Sequence, residues 1–123
     1  MTRYKAITDE QHKSAIIQRL MIEEIHRLDQ NALKSILKST EGRWFLMRLL
    51  DATGVNSNSF TGNSTTFFNE GKRQVGLELL ARIQEIGLDA VKLKQKAELE
   101  YISHQQKARE LAVEYTENEE GSI

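Results

Sequence analysis

The sequence predicts an all-α protein of about five helices, the last of them long. The 123 residues contain no proline, where average usage of about 5% would place about six, and proline is the residue that breaks helix interiors. Apolar residues also recur at steps of three and four over most of the length, the spacing of one helix face. This length fits one domain. The chain is therefore read as a single helical domain in three parts: an N-terminal helical arm (1–29), a compact core (30–87) and a long C-terminal helix with an acidic tail (88–123).

The first helix is expected from about Asp9 to Leu28. Thr8 and Gln11 form a candidate capping box, and Ile17, Leu20, Met21, Ile25 and Leu28 make one apolar face. Asp29 offers a break and a fresh N-cap. A short second helix, about Gln30 to Lys38, then turns Leu33, Ile36 and Leu37 inward. Ser39 or Thr40 caps the third helix, RWFLMRLLDAT, which Gly54 ends in a left-handed conformation. Trp44, Phe45, Leu46, Met47, Leu49 and Leu50 cover most of its circumference, which predicts the buried centre of the domain.

A fourth helix is expected from about Thr65 to Ile86, capped by Asn63 or Ser64, with Phe68, Val75, Leu79, Ile83 and Ile86 on its inner face. Gly71 and Gly76 lie inside it. Each costs about 1 kcal/mol against alanine, which predicts close approach of another backbone. Gly87 ends this helix, and Asp89 caps a fifth that runs to about Tyr115, followed by a frayed acidic tail.

The stretch GVNSNSFTGNSTTFFNEGKR, Gly54 to Arg73, breaks the helical pattern with turn formers and three phenylalanines. It reads as a structural joint. Gly54 and Gly62 allow the turns, Ser64 or Asn63 caps the next helix, and Phe60, Phe67 and Phe68 pin the loop onto the apolar third helix, with Gly71 and Gly76 permitting close packing.

Composition excludes several function classes. A net charge of −1 gives no bulk attraction to nucleic acid, although a local basic patch stays open. There is no cysteine, hence no disulfide, thiol nucleophile or cysteine-bound metal. MTRYKAITDEQHK has no apolar signal-like region. The longest apolar run, WFLM, is four residues, against the ~20 a membrane span requires. A soluble protein of the cell interior is the expectation.

Chemical motifs fail one by one. Gly71-Lys72 is followed by Arg73, and no glycine stands five residues before Gly71, so the phosphate-binding loop G-x-x-x-x-G-K-[ST] is not met; a simple anion site at the start of the fourth helix remains. His12, His26 and His104 show no metal-ligand spacing. Glu41 and Asp51 flank the third helix ten residues apart, roughly 15 Å, too far for a glycosidase carboxylate pair at about 5–9.5 Å. Ser57, Ser59, Ser64 and Thr65 sit in no nucleophile elbow. Asn63-Ser64-Thr65 fits the N-glycosylation pattern by coincidence. No catalytic residue, metal or cofactor is therefore expected.

Two binding modes stay open. Lys34, Lys38, Arg43 and Arg48 raise a helix-turn-helix reading of the second and third helices, but the third is too apolar for a major groove. Lys72, Arg73 and Arg82 on the fourth are the better nucleic-acid candidates. On the fifth helix, Ala97, Tyr101, His104, Ala108, Leu111 and Tyr115 follow at steps of 4, 3, 4, 3 and 4, a heptad-like seam with small occupants. Lys92, Lys94 and Lys96 near its start, with glutamates at its end, set charge against the helix dipole. A partner, or assembly of several copies, would explain that arrangement.

The run from Glu41 to Ile83 resembles a family of small proteins encoded among the virion genes of short-tailed bacteriophages, near portal and capsid genes. The resemblance rests on Glu41-Gly42-Arg43, Leu49-Leu50, Gly54, Ser59-Phe60-Thr61-Gly62-Asn63-Ser64, Phe67-Phe68, Glu70-Gly71, Arg73 and Val75-Gly76-Leu77 with Leu79-Leu80, and covers about a third of the chain. It implies a non-enzymatic virion protein, inside the head or at the portal–tail axis, in contact with portal, tail or internal proteins and with copies of itself. Such a protein would be found in the virion, and in the host cytoplasm before assembly. The alternatives are a small DNA-binding or regulatory phage protein and, with least support, a phage lytic enzyme.

Overall fold

A computed structural model of the chain describes residues 2–57, 61–62 and 65–121, with side chains from residue 9 onward. The described residues form four helices in order: α1 (Thr2–Lys38), α2 (Thr40–Thr53), α3 (Thr65–Ile86) and α4 (Leu88–Gly121). None of them is long and apolar enough to cross a membrane. The chain divides into two units, Met1–Leu33 and Lys34–Ile123.

The count is four rather than five because Asp29 does not break α1. No glycine or proline occurs before Gly42, and Asp29, Gln30 and Asn31 each cost a helix less than about 0.7 kcal/mol, too little to end it. The expected Thr8 cap lies outside the described side chains. Within the first unit Ile17, Leu20, Met21, Ile25 and Leu28 all remain about half exposed or more. Arg27 Nε donates to Glu24 Oε2 at 2.9 Å, a surface pair of little energetic weight.

In the second unit α2 packs against α3 and α4, and these two pack against each other. Ser39, extended at φ −105° and ψ 150°, caps α2: its Oγ accepts from the Gly42 N–H at 2.9 Å. Gly54, left-handed at φ 69°, closes it with its own N–H on the Asp51 carbonyl. The core is Leu37, Leu46, Met47, Leu50, Val55, Ile83, Ala90, Ala97 and Tyr101. The other side of α2 is open, with Trp44, Phe45 and Leu49 exposed. α2 is therefore central without being enclosed.

α3 presents only part of the expected face: Ile83 is buried and Leu79 and Ile86 are partly buried, but Phe68 and Val75 are exposed. Gly76 and Ile83 are buried, whereas Phe67 is 82% exposed, Phe68 66% and Val75 56%. The inner row runs through Asn69, Arg73, Gly76, Leu80 and Ile83, at steps of four, three, four and three. The reason is contact distance. A Cβ built on Gly76 would collide with Thr53 Oγ1 and stand 2.9 Å from Val55 Cβ, so α3 comes down on the end of α2 through its glycine. That rotation turns Phe67, Phe68 and Val75 outward. Among the described residues nothing lies within 4 Å of a Cβ at Gly71, so it serves no close approach there.

α4 starts one residue ahead of Asp89. The Gly87 carbonyl accepts the Val91 N–H at 3.2 Å, and Asp89 becomes a first-turn acid, well placed against the helix dipole. The tail is helical through Glu117–Glu120 to Gly121, not frayed.

Candidate interaction surface

The centre of the second unit is a buried cation that the sequence reading treated as a surface one. Arg43 is 5% exposed. Its Nη2 lies 3.0 Å from Glu100 Oε1, its Nε donates to both Glu100 oxygens at 3.1–3.2 Å, and its Nη1 donates to the Leu37 carbonyl at 2.9 Å. Nη2 also reaches Thr40 Oγ1 at 3.3 Å. One guanidinium thus joins the end of α1, the start of α2 and the middle of α4. The Arg43 hydrogen bonds hold the Glu100 carboxyl below its usual range against the opposing effect of burial.

Beside it, the Tyr101 hydroxyl donates to Asp51 Oδ2 at 2.8 Å, and Arg48 Nη1 stands 3.5 Å from the same hydroxyl. Asp51 is thereby a structural acceptor. The Trp44 ring lies 5.0 Å from that of Tyr101 and meets His104 edge-on at 5.7 Å. Trp44, His104 and Ala108, with Thr40 and Glu41, line an open, almost wholly apolar groove of about 420 Å³.

The seam on α4 therefore divides. Ala97, 1% exposed, and Tyr101, 7% exposed, are core residues and not the partner surface expected of them; they are consumed where α4 lies against α2. His104, Ala108, Leu111 and Tyr115 are exposed beyond that contact. Two of the lysines at the start of α4 meet acids of their own chain: Lys94 pairs with Glu98, and Lys96 adds to the field that lowers Glu100.

Among the described residues, the joint between α2 and α3 carries a glycine turn and a pair of threonine hydroxyls. Gly62 is left-handed at φ 79°. The Thr61 N–H donates to Thr66 Oγ1 at 2.9 Å, and the two hydroxyls lie 3.0 Å apart. Phe60, Asn63 and Ser64 lie outside the described residues. Phe67 and Phe68 do not pin the loop to α2: both rings face away, and Phe68 carries the Lys72 ammonium 5.0 Å from its centroid.

The three basic candidates on α3 do not converge. At about 100° per residue, Arg73 and Arg82 lie on opposite sides of the helix, and Arg73 is half-buried on the inner row. Among the described residues no three of His, Asp or Glu gather as a metal centre would require. A cleft of about 390 Å³ is lined by Leu37, Ile86 and Leu93 together with Lys34, Lys38 and Asp89.

Against this geometry, residues 33–95 match the family model described as Bbp19-like phage protein. The match covers just over half of the chain, and the chain belongs to that family of phage proteins. No curated protein and no solved structure matches it. The matched span holds the Arg43 network up to α4, both contacts of Gly76 and the first turns of α4, and ends before the exposed part of the seam.

Proposed function

We propose that this member of the Bbp19-like phage protein family is a non-enzymatic virion component of a short-tailed phage, encoded near its portal and capsid genes. It sits inside the head or at the portal–tail axis, and it acts through helix-mediated contacts with other virion proteins. The observation that carries the reading is the amount of apolar surface left open on so small a chain. Ile17, Leu20, Met21, Ile25 and Leu28 on α1, Phe45 and Leu49 on α2, Phe67, Phe68 and Val75 on α3, and Leu111 and Tyr115 on α4 are all exposed. Contiguous apolar patches on soluble monomers are mostly sites of contact, and Ile17, Leu20, Met21 and Ile25 line one such patch on α1, which fits a protein finished by its neighbours.

The deciding experiment is mass spectrometry of purified particles, with pull-down of the tagged chain against portal, tail and internal proteins. The protein is expected in particles at a fixed ratio to portal, and in the host cytoplasm before assembly. Its absence from washed particles would sink the proposal. A peptidoglycan-clearing assay is expected to show nothing.

A further inference from the structure

We infer that the apolar face of α1 is covered by a second copy of α1, running antiparallel across a two-fold axis at Met21. This deepens the assembly reading above and rests on it. The face is open: Ile17 is 49% exposed, and Leu20, Met21, Ile22 and Ile25 are more so. Ile17, Leu20, Met21, Glu24 and Ile25 line a shallow, almost wholly apolar groove of about 400 Å³. Leu37, fully buried in the same helix, lies about 160° round from Met21 at 100° per residue. The side of α1 that enters the core is therefore not the side left open, and a second helix can lie there without displacing it.

Two observations make a second copy the occupant. The first is the order of the residues. In Ile17-Gln18-Arg19-Leu20-Met21-Ile22-Glu23-Glu24-Ile25 the apolar positions are symmetric about Met21. The pattern reads the same in both directions, so a reversed copy offers each apolar residue an apolar counterpart. With Met21 on the axis, Ile17 falls level with Ile25 of the second copy, and the axis makes the contact twice. The same axis returns each flank of the helix to the same side. Leu20 therefore borders Leu20 of the second copy on one flank, and Ile22 borders Ile22 on the other. Met21, unbranched and flexible, fills the groove of the opposite copy.

The second observation is charge. Residues equally far on either side of Met21 fall level in this register. Among residues 9–33 every acid, lysine and arginine is then level with an opposite charge or with no charge. Lys13 meets the level of Asp29, Arg19 that of Glu23, Glu24 that of Gln18, Arg27 that of Ala15, Glu10 that of Ala32 and Asp9 that of Leu33. A parallel copy in register sets each of these charges level with itself, and sets Glu24, which lines the groove, against Glu24.

The test uses the full chain, which has no cysteine of its own. Ile17→Cys, Ile25→Cys and an equal mixture of the two are oxidised with copper phenanthroline. A disulfide-linked dimer is expected in the mixture, as a heterodimer. The single variants should link poorly, because each residue and its own counterpart stand about 12 Å apart along the axis, beyond disulfide reach. A mixture that does not link, or single variants that link as well, overturns the register. Sedimentation equilibrium gives an independent reading. The parent should dimerise, and Met21→Glu should weaken dimerisation about tenfold or more, because it buries two carboxylates at the axis. Met21 is exposed, so circular dichroism of that variant should match the parent. A dimer unchanged by Met21→Glu places the contact elsewhere and overturns the inference. A parent chain that stays monomeric at all concentrations also overturns it while leaving the virion reading intact, since particle composition tests that separately.

Discussion

The Arg43 guanidinium, buried at the start of α2, is held by Glu100 of α4 at 3.0 Å and by the Leu37 carbonyl at 2.9 Å. Breaking a buried pair costs more than the pair contributes, because the survivor is left charged and unsolvated. Glu100→Gln should therefore destabilise the fold by about 3 kcal/mol, the low end for such changes, because Glu100 keeps some access to water. Arg43→Met should cost less than Arg43→Ala, since it keeps the packing of the stem. Urea unfolding measures both.

The same pair gives a pH dependence of definite sign. Glu100 is held below its usual carboxylate range, first by its hydrogen bonds from Arg43 and then by that residue's charge. As pH falls the unfolded chain takes up this proton first, so stability declines with acid. The contribution is fully present above the ordinary carboxylate pKa and is lost as pH falls through the lowered one. Unfolding free energies of the parent and Glu100→Gln should therefore differ by a constant amount near neutrality and converge in acid. A difference that holds unchanged down to strong acid would assign the loss to packing rather than to charge.

Two glycines of one helix should respond oppositely. A methyl at Gly76 meets Thr53 and Val55, and Gly76→Ala should cost roughly 1–3 kcal/mol, as overpacking does. Gly71 has open space around it, so Gly71→Ala should raise stability by up to about 1 kcal/mol through helix propensity. Thermal unfolding of the two variants side by side checks the rotation of α3.

Phe68→Ala tests the outward face. With the ring 66% exposed, its removal should leave the stability of the isolated chain within about 0.5 kcal/mol and reduce capture of virion partners instead. A loss of several kcal/mol would restore the loop-pinning role that the sequence suggests.

Leu37 is fully buried at 0% exposure. Leu37→Ala should cost about 2–5 kcal/mol, measured by denaturant midpoint, whereas Leu28→Ala on the open face of α1 should cost a small fraction of that.

The helical class, the place of both caps of α2 and the left-handed Gly54 were legible because each is a local matter. A missing proline, a serine hydroxyl within reach of an amide and a residue without Cβ act over a few bonds. The bacteriophage character was legible too, through the ordered run from Glu41 to Leu80. The continuity of α1 was not, because Asp29 has a cap's chemistry and only its surroundings say whether that chemistry is used.

What the sequence determined by itself is therefore the all-helical class and most of the helix ends. Tertiary structure alone decided which side of α2 and α3 is inside. Apolar periodicity marks a face without saying what will cover it, and on α3 the closest approach went to Gly76, so the phenylalanines that looked like a core became surface. Arg43 shows the converse: a charge that reads as solvated in a linear sequence is buried because Glu100, 57 residues away, arrives beside it only when the chain has folded.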